Sequence, residues 1–231
     1  VLIIAPTREL SGQINDELYD LAKELRIYSV LCTGGSSLYK QVNHIRRGFH
    51  FIIGTPGRLK DLGDRGEIDY SEFTTVVLDE VDRMLDMGFV KDIKHLISLL
   101  PKQRQSLFFS ANMDSNVESV MRVILRGDSV RVSVKTGETA DNVEQDVIRI
   151  SHPGEKLPKL EQLLKTDEFR KVLVFVNTKR NVEKLCRNLR QGGYRAESIH
   201  GDRKQRQRQR ALDNFKADKI DVLVATDVAS R

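Results

Sequence analysis

Three acids close an apolar run at Val76-Val77-Leu78-Asp79-Glu80-Val81-Asp82. Carboxylates at the C-terminal end of a buried strand can hold Mg²⁺ through water and position a second water against a terminal phosphate, the Walker B arrangement. Asp79 fits the metal role and Glu80 the water role; the same acids could instead cap a helix from Asp82 to Met87. Four threonines form a second pattern. Thr7 and Thr55 follow the apolar runs VLIIA and FIIG, Thr178 and Thr226 follow VLVFV and VLVA, and each pair is 48 residues apart. Hydroxyls and helix amides at strand ends are anion-binding equipment, although each threonine taken singly is also an ordinary N-cap. The third pattern is a basic run, Arg203, Lys204, Arg206, Arg208 and Arg210, directly after His200-Gly201-Asp202. It reads either as a solvated helix face or as a phosphate-binding one.

The elements that must carry these residues alternate in type. Strand-like runs occur at Val1–Ala5, Tyr28–Cys32, Phe49–Ile53, Thr74–Leu78, Ser106–Phe109, Val147–Ile150, Val172–Val176, Ala196–Ile199 and Val222–Ala225. Their nearly continuous apolarity predicts strands buried on both faces. Helical periodicity separates many of them, most clearly from Thr7 to Leu25, where Leu10, Ile14, Leu18, Leu21 and Leu25 share one face. Similar patterns run near Val90–Leu100, Val117–Leu125, Lys156–Leu164, Asn181–Leu189 and Gln205–Phe215. This is an α/β chain with parallel sheets flanked by helices. The polar, aperiodic stretch 133–145 reads as a linker between a first domain, 1–132, and a second, 146–231.

Composition narrows the class. At 231 residues, 39 % hydrophobic and 31 % charged, the chain can bury a core, and its longest apolar runs of five residues exclude a transmembrane helix. Cys32 and Cys186 stand far apart with no metal-ligand spacing, which fits a reducing cytosol. Residues 1–131 carry 17 Lys+Arg against 18 Asp+Glu, whereas residues 132–231 carry 21 against 15, so the positive charge belongs to the second half. Beginning at Val1 inside a strand-like run, the chain reads as a fragment of a longer one. Phe108, Phe109, Phe169, Phe175 and Phe215 are expected in the core.

PTREL (Pro6–Leu10), Gly34-Gly35, TPGR (Thr55–Arg58), VLDEVDRMLDMGF (Val77–Phe89), SAN (Ser110–Asn112), VFVNTKR (Val174–Arg180), HGDRKQRQR (His200–Arg208) and VATDVASR (Val224–Arg231) resemble, in order and spacing, the motifs of DEAD-box ATP-dependent RNA helicases. The resemblance implies two RecA-like domains, both incomplete here, that close over ATP and Mg²⁺ while clamping single-stranded RNA. It implies catalytic roles for Glu80, Asp79, Asp82, Ser110 and Asn112, with Asp79 reaching the metal through water. It implies RNA contacts from Thr7, Arg8, Gly35, Thr55, Gly57 and Arg58 in the first domain, and from Thr178, Gly201, Arg208 and Thr226 in the second. Such contacts hold a backbone without reading bases. A monomer is expected, cytoplasmic or, in a eukaryote, nuclear, with protein regulators and no membrane partner.

The sequence departs from that family's pattern in three ways. Val81 stands for alanine in Asp-Glu-Ala-Asp, a change expected to be tolerated. Asn112 stands for threonine in Ser-Ala-Thr and is expected to bond to Asp82 through its amide. No glycine is followed by lysine, so the GxxxxGK phosphate loop does not occur in these 231 residues, and the chain as it stands is expected not to hydrolyse ATP. Two rival readings follow: a catalytically silent RNA clamp of the same fold, and a DNA helicase of a related branch. Within the basic run, Arg203 and Arg210 are expected on the solvated side of the helix that carries Arg208.

Overall fold

The computed structural model describes residues 1–125, 129–133 and 143–226. The chain forms two compact units, Val1–Val132 and Ser133–Arg231. In the first, strands β1 (Leu2–Ile4), β2 (Ser29–Cys32), β3 (Phe51–Gly54), β4 (Thr75–Leu78) and β5 (Gln105–Phe108) make one parallel sheet in the order β2-β3-β1-β4-β5. Helices α1 (Arg8–Leu21), α2 (Leu38–Arg46), α3 (Pro56–Asp64), α4 (Val81–Asp86), α5 (Val90–Leu99) and α6 (Ser115–Ile124) accompany it. In the second unit, α7 (Lys156–Leu164), β6 (Val172–Phe175), α8 (Lys179–Gln191), β7 (Ala196–Ile199), α9 (Gln205–Lys216) and β8 (Val222–Ala225) build a parallel sheet in the order β6-β8-β7.

Parallel strands need crossovers, and the α-helices between consecutive strands supply them. The central strands carry the core: Leu2, Ile4, Ile52, Val76 and Leu78 are fully buried, each worth about 1.5–3 kcal/mol relative to exposure. In the second unit two apolar clusters, one around Val182, Leu189 and Val224 and one around Ile199, Ala211 and Leu223, use alternate residues of β8. Among the described strands, burial on both faces is complete only in β8. The strands β5 and β6 expose every other residue, Phe175 among them at 46 %, while Phe109 just past β5 and Phe169 before β6 are 53 and 42 % exposed, so all three lie outside the core against expectation.

Three further expectations change. Val147–Ile150 is not a strand; a β-branched run becomes one only by pairing, and among the described residues it has no neighbour in either sheet. The first helix ends at Leu21, leaving Leu21 and Leu25 exposed. The helices α2 and α3 were not apparent from periodicity, although Ser37 before α2 and Pro56 at the start of α3 are ordinary initiation signals. Part of the linker stretch, 134–142, and the last motif's residues 227–231 lie outside the described residues.

Candidate functional site

The neighbours β3, β1 and β4 deliver Thr55, Thr7 and Asp79 to one end of the first sheet. Ile4 is in register with Gly54 on one side and with Leu78 on the other, and the Asp79 amide donates to Ile4 O at 3.0 Å. The second unit repeats part of this. There Phe175 is in register with Ala225, and Thr178 and Thr226 follow these residues by three and one, as Thr7 and Thr55 follow Ile4 and Gly54. The two 48-residue spacings therefore mark equivalent pairs of adjacent strand ends.

Each threonine's local role differs. Thr7 Oγ1 accepts from the Leu10 amide at 3.2 Å and Thr178 Oγ1 from the Asn181 amide at 3.2 Å, capping α1 and α8. Capping uses an acceptor lone pair, so it leaves each hydroxyl proton for another acceptor. Thr55 sits at the N-cap of α3 without a side-chain cap bond. Thr226 is 9 % exposed and its amide donates to Ile199 O at 3.3 Å.

At the end of β4 the chain turns sharply. Glu80 has φ 49° and ψ 55°, a left-handed conformation costing a non-glycine residue about 1–3 kcal/mol. That turn lets α4 start at once and separates Glu80 from the strand direction. Glu80 makes no cap bond to α4, which removes helix capping as its role. Its Oε2 instead meets Arg83 Nη1 at 3.3 Å, and Arg83 is only 5 % exposed. Burial pushes the Asp79 carboxyl above its ordinary range, against a hydrogen bond from the Glu80 amide to Oδ1 at 3.0 Å.

Both Asp82 oxygens accept from main-chain amides. Its Oδ1 accepts from the Arg83 amide at 3.0 Å and its Oδ2 from the Asn112 amide at 3.1 Å. Ser110 Oγ accepts from the Asp82 amide at 3.3 Å and donates to Asn112 O at 2.7 Å. These bonds tie the end of β4 to the segment after β5. The partner of Asp82 is the main-chain amide of Asn112, not the side-chain amide that the sequence suggested, so the side chain at 112 is not needed for the link. Val81 is fully buried in the first core and its amide donates to Phe109 O at 3.1 Å, so the larger side chain is accommodated.

Around Thr7 and Thr55 the expected contacts share one support. Gly35 has φ 76°, which favours glycine. A Cβ at Gly34 would stand 3.1 Å from Arg8 Nη2, so the glycine pair lets Arg8 lie against the loop. Arg58 Nη1 donates to Gln41 Oε1 at 2.9 Å, and Gln41 Nε2 donates to Thr33 O at 2.9 Å. Gln41, 5 % exposed, thus joins the glycine loop to Arg58. Sequence reasoning missed Gln41 and Arg83; a buried polar side chain inside a helix leaves no periodic trace. Gly57 and Gly201 meet nothing within 4 Å where a Cβ would stand, so that space is open above the surface.

In the second unit Thr178, Gly201 and Thr226 follow β6, β7 and β8, while Arg208 lies half-buried on α9 and Arg210 is exposed there. Arg203 is not on the solvated face of that helix. It precedes α9, and its guanidinium pairs with Glu183 at 3.1 Å.

Comparison with known proteins gives this arrangement a context. The family profile described as DEAD/DEAH box helicase matches residues 1–120, and that described as Helicase conserved C-terminal domain matches residues 155–231. DEAD-box ATP-dependent RNA helicase CshA of Streptococcus pneumoniae is 41 % identical over 233 residues, covering 100 % of this chain and 44 % of the relative. RNA helicase CrhR of Synechocystis sp. is 33 % identical, covering 100 % of this chain and 47 % of its own length. The chain spans about half the length of the curated relatives it matches. Among solved structures, S. cerevisiae Dbp5 bound to RNA and ADP BeF3 has a TM-score of 0.87 at 27 % identity, covering 100 % of this chain and 58 % of that one. A DEAD box protein from the hyperthermophile Methanococcus jannaschii has a TM-score of 0.55 at 35 % identity, covering 100 % and 62 %. The two units have the RecA-like α/β fold of these neighbours, and with strand-end acids and threonines lying inside profiles that span most of its length, the chain belongs to the DEAD/DEAH box helicase family.

Proposed function

We propose that the chain is the part of an ATP-dependent RNA helicase that supplies the metal and water side of the ATPase site and two surfaces for the backbone of single-stranded RNA. The observation that carries this reading is the strand-end constellation: Thr55, Thr7 and Asp79 on three neighbouring strands, with the threonine pair repeated in register in the second unit.

The chemistry follows from the residues. Burial disfavours the Asp79 charge, and a cation would offset that cost. Among the described residues no group of three or more His, Cys, Asp or Glu could hold a metal ion, so the donor set fits Mg²⁺ shared with nucleotide phosphates rather than caged by protein. Mg²⁺ would neutralise charge developing on the transferred phosphoryl group. Glu80, turned out of the strand and steadied by Arg83, orients the attacking water. Asp82 links this turn to Ser110 and Asn112 and supports the reaction through that link.

Thr7, Arg8, Gly35, Thr55, Gly57 and Arg58, with Thr178, Gly201, Arg208 and Thr226, contact phosphates and ribose. The open space over Gly57 and Gly201 supports close approach of a backbone. Recognition of this kind is independent of base sequence. The intact links at positions 81 and 112 favour the enzyme over the silent clamp. We assign the protein to the cytoplasm as a monomer working with protein regulators, on its likeness to the bacterial CshA relatives. Among the described residues no helix is long and apolar enough to cross a membrane.

The test is RNA-stimulated ATP hydrolysis by the full-length protein. Turnover that requires both RNA and Mg²⁺, and that is higher with RNA than with single-stranded DNA, is expected. Equal stimulation by DNA would move the protein to the DNA branch, and RNA binding without turnover would make it a clamp.

A further inference from the structure

Glu183, on α8, occupies a position that the chemistry above does not use. Its Oε1 alone receives Ser198 Oγ at 2.8 Å, His200 Nε2 at 2.8 Å and Arg203 Nε at 3.1 Å. Ser198 is fully buried on β7 and His200, just past the strand, is 6 % exposed. The turn that follows contains Gly201 and is closed by the Arg203 amide donating to His200 O at 3.1 Å. It is tied to α8 a second time by Lys179 Nζ and Asp202 Oδ2 at 2.6 Å. Lys179 is the first residue of the helix that Thr178 caps. One carboxylate therefore binds the turn bearing Gly201 to the helix whose N-terminus bears Thr178.

Partial burial pushes the Glu183 carboxyl up, but the bonds from His200, Ser198 and Arg203 outweigh it and hold the group down to about 2. It is a carboxylate at any ordinary pH. Glu183 is paired with Arg203, yet its own charge, taken alone, would oppose RNA electrostatically.

We propose that Glu183 is a positioning residue that sets the Gly201 turn against Thr178 for RNA backbone contact. The proposal rests on the RNA-binding reading of the site. Charge alone and positioning predict opposite signs. If Glu183 were only a charge, Glu183→Gln would tighten RNA binding, because one repulsion is gone. As a positioning residue it is left with only a neutral amide oxygen for three donors, the charge-assisted bonds from His200 and Arg203 weaken, the turn loosens, and binding weakens by about tenfold, comparable to one hydrogen bond to a charged group. The slope of log K against log salt should also fall by about 0.7 for each single-strand phosphate that the loosened turn no longer holds.

Ser198→Ala separates the two accounts without altering charge. Ser198 is fully buried and lies beneath the proposed RNA surface, so charge alone predicts no change, whereas positioning predicts a loss in the same direction as Glu183→Gln. This second variant also serves if Glu183→Gln fails to fold, which thermal melting would reveal. The experiment measures binding of a short labelled oligouridylate by the full-length protein with a non-hydrolysable ATP analogue, across a salt series, with Arg210→Ala as the unchanged reference. Weaker binding and a smaller slope for both variants at near-native melting temperature support the proposal. Unchanged or tighter binding by either folded variant overturns it while leaving the RNA reading in place. Failure of the unsubstituted protein to bind the oligonucleotide overturns both.

Discussion

At the scale of single residues, the acids after β4 divide into two kinds. Asp79 accepts one bond, from the Glu80 amide, and Glu80 pairs with Arg83, whereas Asp82 has both oxygens taken by the Arg83 and Asn112 amides. Glu80→Gln keeps the shape and removes the charge that the proposed mechanism uses to orient water. In the full-length protein it should leave nucleotide and RNA binding intact and lower turnover by about 10²- to 10⁴-fold, read from steady-state hydrolysis. Asp79 carries a stability signature as well. Its folded pKa is raised by burial, so its ionised form costs stability above that pKa. Asp79→Asn, which keeps the acceptor for the Glu80 amide, should raise the melting temperature at pH 7 while weakening Mg²⁺-nucleotide binding; a lowered melting temperature would contradict the burial argument. These two acids were legible because an apolar run ending in charge is a local pattern. Arg83 was not, because its burial against Glu80 exists only once α4 has folded back after a left-handed turn.

At the scale of elements, the threonine pairs show how much periodic spacing can reveal. The repeat of 48 was visible in the sequence; its cause, adjacent parallel strands in the same register in both units, was not, because strand order is set by pairing. The same reason explains Val147–Ile150, whose local propensity found no partner strand among the described residues. Helices α2 and α3 were hidden for another reason: their buried faces include Gln41 and Pro56, which break the apolar count. Gln41 holds Arg58 and Thr33 O together. Replacing it by Leu should orphan a buried carbonyl and release Arg58. A stability loss of about 1–3 kcal/mol in urea unfolding, accompanied by weaker RNA binding, is expected. Full stability with normal binding would remove Gln41 from this role.

At the scale of the whole molecule, the positive charge of the second half does not act as one face. Arg203 is bound to Glu183, Arg195 to Asp221 and Lys171 to Asp218, whereas Arg206 and Arg210 are exposed. The Glu183 cluster also sets an acid limit. A carboxyl held down to about 2 from 4.5 contributes stability that is complete above about 4.5 and is lost as pH falls towards 2. Glu183→Gln should therefore flatten the acid limb of a melting-temperature profile in that window. The central claim, that defined residues grip RNA phosphates, is tested most directly by a salt titration of RNA binding in the full-length, nucleotide-bound protein carrying Arg58→Ala, Arg208→Ala or Arg210→Ala. Each of the first two should weaken binding to unrelated RNA sequences equally and reduce the salt slope by about 0.7 for every phosphate the arginine had neutralised, while Arg210→Ala changes little. Equal losses for all three would mean a diffuse basic surface and would contradict the account.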